Sequence, residues 1–192
     1  MEKCSDRQCT MGVKVSAKGA IPQRSMGFPM LAEVPIIVSD RPLSQVAIEL
    51  IEQGRSRFRT VDCFDFVPSN YDLSWRVLDA LPRGRFCEWG SGFGIVTGMA
   101  EILGFDARGI EINPKLADAS RQLFVDLGLT SRIQTGDYLA SRHEADVYFV
   151  YCWPGMMAAT EECFLAVAPA GAKLLICHGQ SDIRCKVRCG KV

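Results

Sequence analysis

The run Cys87-Glu88-Trp89-Gly90-Ser91-Gly92-Phe93-Gly94 carries the densest chemical signal in the chain. It follows a short apolar segment and leads into a helix-patterned stretch, so it reads as strand, glycine turn and helix start. Glycines there permit a tight turn and let backbone approach a ligand closely. Backbone N–H groups at the helix start would face whatever sits in the crevice. The spacing departs from the dinucleotide fingerprint G-x-G-x-x-G. Counted from Gly90, the third glycine would fall on Ile95; counted from Gly92, it would fall on Thr97. The pattern is instead acidic-x-G-x-G-x-G, with Glu88 at the strand end. A carboxylate there would repel a pyrophosphate, whereas it could accept hydrogen bonds from water or from an amino-acid ammonium.

Two further carboxylates follow in step. Glu111, ahead of Ile112 and Asn113, closes the next strand, where a carboxylate can accept both hydrogens of a ribose diol. Asp137, after a third strand, could accept from an adenine amino group, with Tyr138 or Leu139 packing on the base. Each acid alone reads equally well as a helix cap or a surface turn. All three stand at carboxyl ends of successive strands, where open α/β sheets bind ligands. The candidate cofactor set is therefore Glu88, Trp89, Gly90, Ser91, Gly92, Gly94, Glu111, Ile112, Asn113, Asp137 and Tyr138.

The elements that must position these residues alternate. Strands are expected at Arg85 to Trp89, Arg108 to Ile112, Arg132 to Gln134, Asp146 to Cys152 and Lys173 to Cys177. Helices are expected at Ile95 to Leu103, Pro114 to Leu127 and Met156 to Val167, with Pro114 suited to a first turn. Such alternation predicts a Rossmann-like α/β three-layer sandwich on a mainly parallel sheet. Upstream, a short β-like run is expected at Val34 to Val38. A helix that Gly54 ends comes next, then a second helix capped by Ser69 or Asn70. Ile183 to Arg188 alternates apolar and basic residues and reads as an edge strand. The organisation predicted is a flexible N-terminal arm (1–40), an N-terminal helical segment (41–84) and the Rossmann-like cofactor domain (85–192).

The fourth strand also ends at the crevice. It reads Tyr151-Cys152-Trp153-Pro154, and Tyr151, Trp153 and Pro154 are the candidate catalytic residues. Aromatic faces attract cationic groups such as an ammonium, and an apolar aromatic pocket would help an amine shed its proton. Trp153 reads alternatively as a packing residue. Phe66 and Tyr71 could form the opposite wall. His178 could reach the crevice as a base but reads more readily as exposed, and His143 reads as a surface residue.

Lys+Arg and Asp+Glu are both 22 in 192 residues, which argues against a general nucleic-acid binder. No apolar run is long enough to span a bilayer, and the first residues lack a signal-peptide plan. Nine cysteines, several inside apolar segments, read as small buried hydrophobes in a reducing, cytoplasmic setting. Cys4-x4-Cys9 and Cys185-x3-Cys189 are poor zinc spacings, so no metal is expected.

At this point the sequence resembles the seven-strand (class I) S-adenosylmethionine-dependent methyltransferases, from about Phe66 to Cys177. The resemblance rests on the glycine turn, on Gly109-Ile110-Glu111-Ile112-Asn113-Pro114 and on Gly136-Asp137-Tyr138, in that order. Within that superfamily it looks most like the protein-lysine methyltransferases related to the enzyme that modifies mitochondrial ATP synthase subunit c, and more distantly like the Dot1-like group. The cues are Phe66-Val67-Pro68-Ser69, Glu-Ile-Asn-Pro and Pro154-Gly155-Met156-Met157. The chain departs by having Phe93 where many members carry an acid, by lacking an apolar anchor and by an abbreviated set of C-terminal strands. The resemblance implies S-adenosylmethionine as cofactor, methyl transfer as reaction and a protein lysine or a small molecule as acceptor. A nucleobase amine is disfavoured because Cys-Trp-Pro replaces the Asp/Asn-Pro-Pro-aromatic grip. Two alternatives stay open: a nicotinamide-dependent oxidoreductase and a non-catalytic cofactor-binding module.

Overall fold

The computed structural model describes residues 30–61, 66–153, 155–179 and 181–190. The expected arm lies mostly outside them. Along the chain run β1 (Leu31–Val34), α1 (Gln45–Arg57), α2 (Tyr71–Asp79), β2 (Arg85–Trp89), α3 (Ile95–Ile102) and β3 (Asp106–Glu111). Then come α4 (Pro114–Leu127), β4 (Arg132–Thr135), a 3-10 turn at Tyr138–Ala140, β5 (Val147–Tyr151), α5 (Met157–Val167), β6 (Lys173–Cys177) and β7 (Ile183–Arg188).

The strands form one seven-stranded sheet in the order β1-β7-β6-β5-β2-β3-β4. The five strands from β6 to β4 in that order are parallel, and β7 runs antiparallel to both β6 and β1. Strand period 2 sends Phe86, Val147, Phe149 and Leu175 to one face, where α1, α2, α3 and α4 bury them. Cys87, Trp89, Tyr148, Val150 and Leu174 go to the other, against α5. The result is the expected three-layer α/β/α sandwich.

Three local readings change. The first strand is Leu31–Val34, earlier than Val34–Val38. Its neighbour lies at the far end of the chain, with Leu31 opposite Arg188 and Val34 opposite Cys185, and Pro35 has no N–H with which to extend the ladder. For the same reason β7 is not an edge strand: β1 fills the place beyond it, and Lys186 ion-pairs with Glu161 of α5. Gly54 does not end α1, which continues to Arg57. A Cβ on Gly54 would sit 2.5 Å from Ile95 Cδ1, so the glycine lets α1 approach α3.

The helix ends follow their capping chemistry. Asn70, of the two residues considered, caps α2 by accepting from Leu73 N at 3.1 Å. Asn113 caps α4 through Lys115 N, with Pro114 in the first turn. Cys87, Cys152, Cys163 and Cys177 are buried and free.

Candidate active site

The glycine turn joins β2 to α3 and is tied down from two sides. Gly90 N and Ser91 N both donate to Ile110 O of β3, at 2.8 and 3.0 Å. Gly92 N donates to Glu111 Oε2 at 2.7 Å, and Asn113 N donates to Glu111 Oε1 at 2.8 Å. Glu111 therefore stitches the turn to the start of α4. Gly92 has φ +53°, and a Cβ there would run into the Phe66 ring, so glycine is required twice over. Phe66 in turn stacks in a trio with Phe58 and Phe93, centroids 4.7–5.0 Å apart. That trio explains Phe93: it is fully buried packing beneath the turn, a place no acid would fill.

Above the carboxyl ends of β2, β3 and β5 opens a cavity of about 600 Å3. It is lined by Asp137, Tyr138 and Leu139 after β4, by Trp89, Gly90, Gly92, Glu111, Ile112, Asn113 and Leu116 around the turn and the start of α4, and by Phe66, Val67, Tyr151, Trp153 and Met156. Tyr138 stacks on Trp89 at 5.0 Å, and its hydroxyl meets Thr160 Oγ1 at 3.0 Å. Burial raises the Tyr138 phenol. Asp137 Oδ1 accepts from Leu139 N, which holds the 3-10 turn at the rim. Tyr151 and Trp153 meet edge to face at 6.3 Å, and Trp153 keeps 48% of its surface exposed at the mouth.

Most of the candidate cofactor residues thus converge, but Glu88, Ser91 and Gly94 stand apart. Glu88 does not line this cavity. Period 2 turns it to the α3 face, where Thr97 N and Thr97 Oγ1 donate to its Oε2 at 2.7 and 2.6 Å. It is almost fully buried, and desolvation pushes its carboxyl up to about 8 against the pull of the two Thr97 bonds. Ser91 is buried beneath the turn, and Gly94 stands behind it as the first residue of α3's cap, against Ser120 and Phe124. Pro154 lies outside the described residues. His178 is exposed, and His143 is half-buried between Arg108 at 3.0 Å and Gln134 at 2.6 Å, away from the cavity.

Tyr71 does not line the main cavity; it borders a small chamber behind it and a separate surface pocket beside α1. Leu116 and Met156 line the cavity without having been among the candidate site residues. Each sits one helical turn or less from a motif residue, Asn113 and Trp153, and that proximity was the available signal. Among the described residues no three His, Cys, Asp or Glu side chains gather as a metal site, and no helix is long and apolar enough to cross a membrane.

No family model matches the chain, and no curated protein matches it. Solved structures do. A methyltransferase from Podospora anserina bound to S-adenosylhomocysteine superposes with a TM-score of 0.57 and 19% identity, over 71% of this chain and 63% of that one. An RNA methyltransferase from Salinibacter ruber, in complex with S-adenosylhomocysteine, gives 0.51 and 16%, over 79% of this chain and 96% of that one. The fold is the Rossmann-like methyltransferase fold. In that frame the cavity lies at the carboxyl ends of the parallel strands, on both sides of the point where the chain order reverses between β2 and β5.

Proposed function

We propose that this chain is an S-adenosylmethionine-dependent methyltransferase whose acceptor is the side-chain amine of a protein lysine. The observation that carries the reading is one continuous cavity with an acid-and-aromatic end at Asp137–Tyr138, a carboxylate at Glu111 and an aromatic mouth at Tyr151 and Trp153.

The residues suit the cofactor in three respects. Glu111 retains lone pairs after accepting from Gly92 and Asn113, enough to take a ribose diol as well. Asp137 uses Oδ1 for Leu139 and keeps Oδ2 for an adenine amino group, beside the Tyr138 face. Glycine at position 92 leaves backbone, with no Cβ, between Glu111 and Phe66. When bound, the cofactor supplies an electrophilic methyl on a sulfonium. This chain aligns the acceptor and excludes water. Phe66, Val67, Tyr151, Trp153 and Met156 give the acceptor end an apolar wall, which disfavours a charged ammonium and promotes loss of its proton before attack. Trp153 and Tyr151 offer ring faces to a long cationic side chain entering from solvent.

The test is radiolabelled methyl transfer from S-adenosylmethionine into a source-cell lysate, followed by acid hydrolysis and amino-acid separation. Label in methyl-lysine supports the reading. Label confined to small molecules assigns a metabolite acceptor, and label in RNA overturns the protein acceptor.

A further inference from the structure

Among the described residues, Glu88 and Glu111 are the buried carboxylates. Glu111 is held by the glycine turn and borders the cavity, whereas Glu88 has no evident task in binding. Behind the wall formed by Phe66, Val67, Gly90 and Tyr151 lies a chamber of about 30 Å3, which Glu88, Ser69, Ser91 and Tyr71 also line. That volume suits a single water. Ser91 Oγ, buried at 4% exposure, has no hydrogen-bond partner among the described residues, so a polar occupant is called for.

The groups around Glu88 are nearly all acids. Tyr71 faces it from α2, Glu111 from β3 and Cys177 from β6, with Cys87 beside it on β2. Glu88 raises the Tyr71 phenol and helps push the Cys177 thiol up to about 12, in both cases behind desolvation as the larger cause. The nearby cation, Arg55 of α1, lies over the Tyr71 ring at 5.5 Å, and no ion pair to Glu88 forms among the described residues. Among the described residues, Glu88 is a buried acid with no counter-charge.

A cofactor held with its ribose at Glu111 and its base at Asp137–Leu139 would bring its sulfur end toward Phe66, Gly90 and Tyr151, the wall shared with Glu88's chamber. We propose that Glu88 senses the charge of the cofactor's sulfur: it is a neutral acid in the free protein, ionises when the sulfonium arrives, and so favours the methyl donor over the demethylated product. This rests on the cofactor assigned above. S-adenosylmethionine and S-adenosylhomocysteine share the same ammonium and carboxylate, and differ by a methyl group and one positive charge on sulfur. In a site of low dielectric that single charge is felt strongly by an unpaired carboxyl. Burial already holds Glu88 mainly in its acid form at neutral pH, since it titrates at about 8.

The experiment is titration calorimetry of the full chain with each compound, in buffers of different ionisation enthalpy, for wild type and Glu88→Gln. Glutamine keeps an oxygen for both Thr97 bonds. At pH 7 the wild type should release close to one proton more than Glu88→Gln on binding S-adenosylmethionine, roughly 0.9 for a group titrating at about 8. With S-adenosylhomocysteine the two proteins should release the same number. The wild-type preference for donor over product should rise about tenfold per pH unit below 8 and then level, while that of the variant stays flat by comparison. The cofactor's own amino group contributes equally to both proteins. If Glu88→Gln does not fold, infrared difference spectra of 13C-glutamate-labelled wild type take its place: a carboxylic-acid band should vanish with S-adenosylmethionine and persist with S-adenosylhomocysteine. Equal proton release in both proteins, or an unchanged band, overturns the proposal while leaving the cofactor assignment standing. Failure of the wild type to bind either compound overturns both.

Discussion

The buried Glu88 makes a prediction about stability that needs no substrate. Its carboxyl titrates at about 8 in the folded protein, against an ordinary value of 4.5. An acid with a raised folded-state value binds more protons folded than unfolded throughout that window. Folding stability is therefore fullest below about 4.5 and falls as pH rises toward 8. The slope is about 1.4 kcal/mol per pH unit, and the total loss about 5 kcal/mol. That is a large share of the 5–15 kcal/mol typical of a domain, so the effect stands clear of most single substitutions. Glu88→Gln removes the titration and keeps an acceptor for Thr97. Urea unfolding of both proteins at pH 5, 6.5 and 8, followed by tryptophan fluorescence, isolates it from the cysteines and tyrosines that titrate in both. The variant should gain about 3.5 kcal/mol on wild type between pH 5 and pH 8. A gap constant to within about 0.5 kcal/mol across that range would refute the reasoning, because Glu88 would then share the ionisation of the unfolded chain.

Other substitutions report on the turn, the mouth and the core. Gly92→Ala places a side chain at φ +53° and against Phe66, and should destabilise the protein by about 1–3 kcal/mol in thermal melts while weakening S-adenosylhomocysteine at least about tenfold. Trp153→Ala, at a half-exposed position, should leave stability within about 0.5 kcal/mol and cofactor affinity unchanged, but slow methyl transfer about tenfold, the equivalent of one cation–π contact. Gly54→Ala should lower stability by about 1 kcal/mol despite alanine's better helix propensity, since its Cβ meets Ile95 at 2.5 Å.

How much of this was legible depended on sequence distance. The parallel core was readable because each βα unit closes within a few tens of residues, and Val147–Tyr151 is apolar throughout, as a strand covered on both faces must be. β1 was misplaced, and β7 misread as an edge, because they are each other's partners from opposite ends of the chain, and no local pattern announces that pairing. Gly54 looked like a stop signal because sequence shows the missing side chain and not the Ile95 that needs the space. At the site, Glu111, Asp137 and Tyr138 lie at the cavity because strand ends dictate it. Glu88 was expected to face the ligand. Strand alternation and the Thr97 hydroxyl in the first turn of α3 took its carboxylate to the other side of the glycine turn instead. The phenylalanine trio that supports Gly92 joins residues 58, 66 and 93, and only the folded chain brings them together.

The central claim is that this cavity takes S-adenosylmethionine chemistry, and calorimetric titration with S-adenosylhomocysteine and with NAD addresses it most directly. The account predicts one equivalent of S-adenosylhomocysteine bound by the wild type and no binding of NAD. It also predicts affinity weakened about a hundredfold in Glu111→Ala, which would lose charge-assisted bonds to the ribose diol worth about 1.5–3 kcal/mol each, along with the bonds that hold Gly92 and Asn113 in place. Binding of NAD without S-adenosylhomocysteine would contradict it.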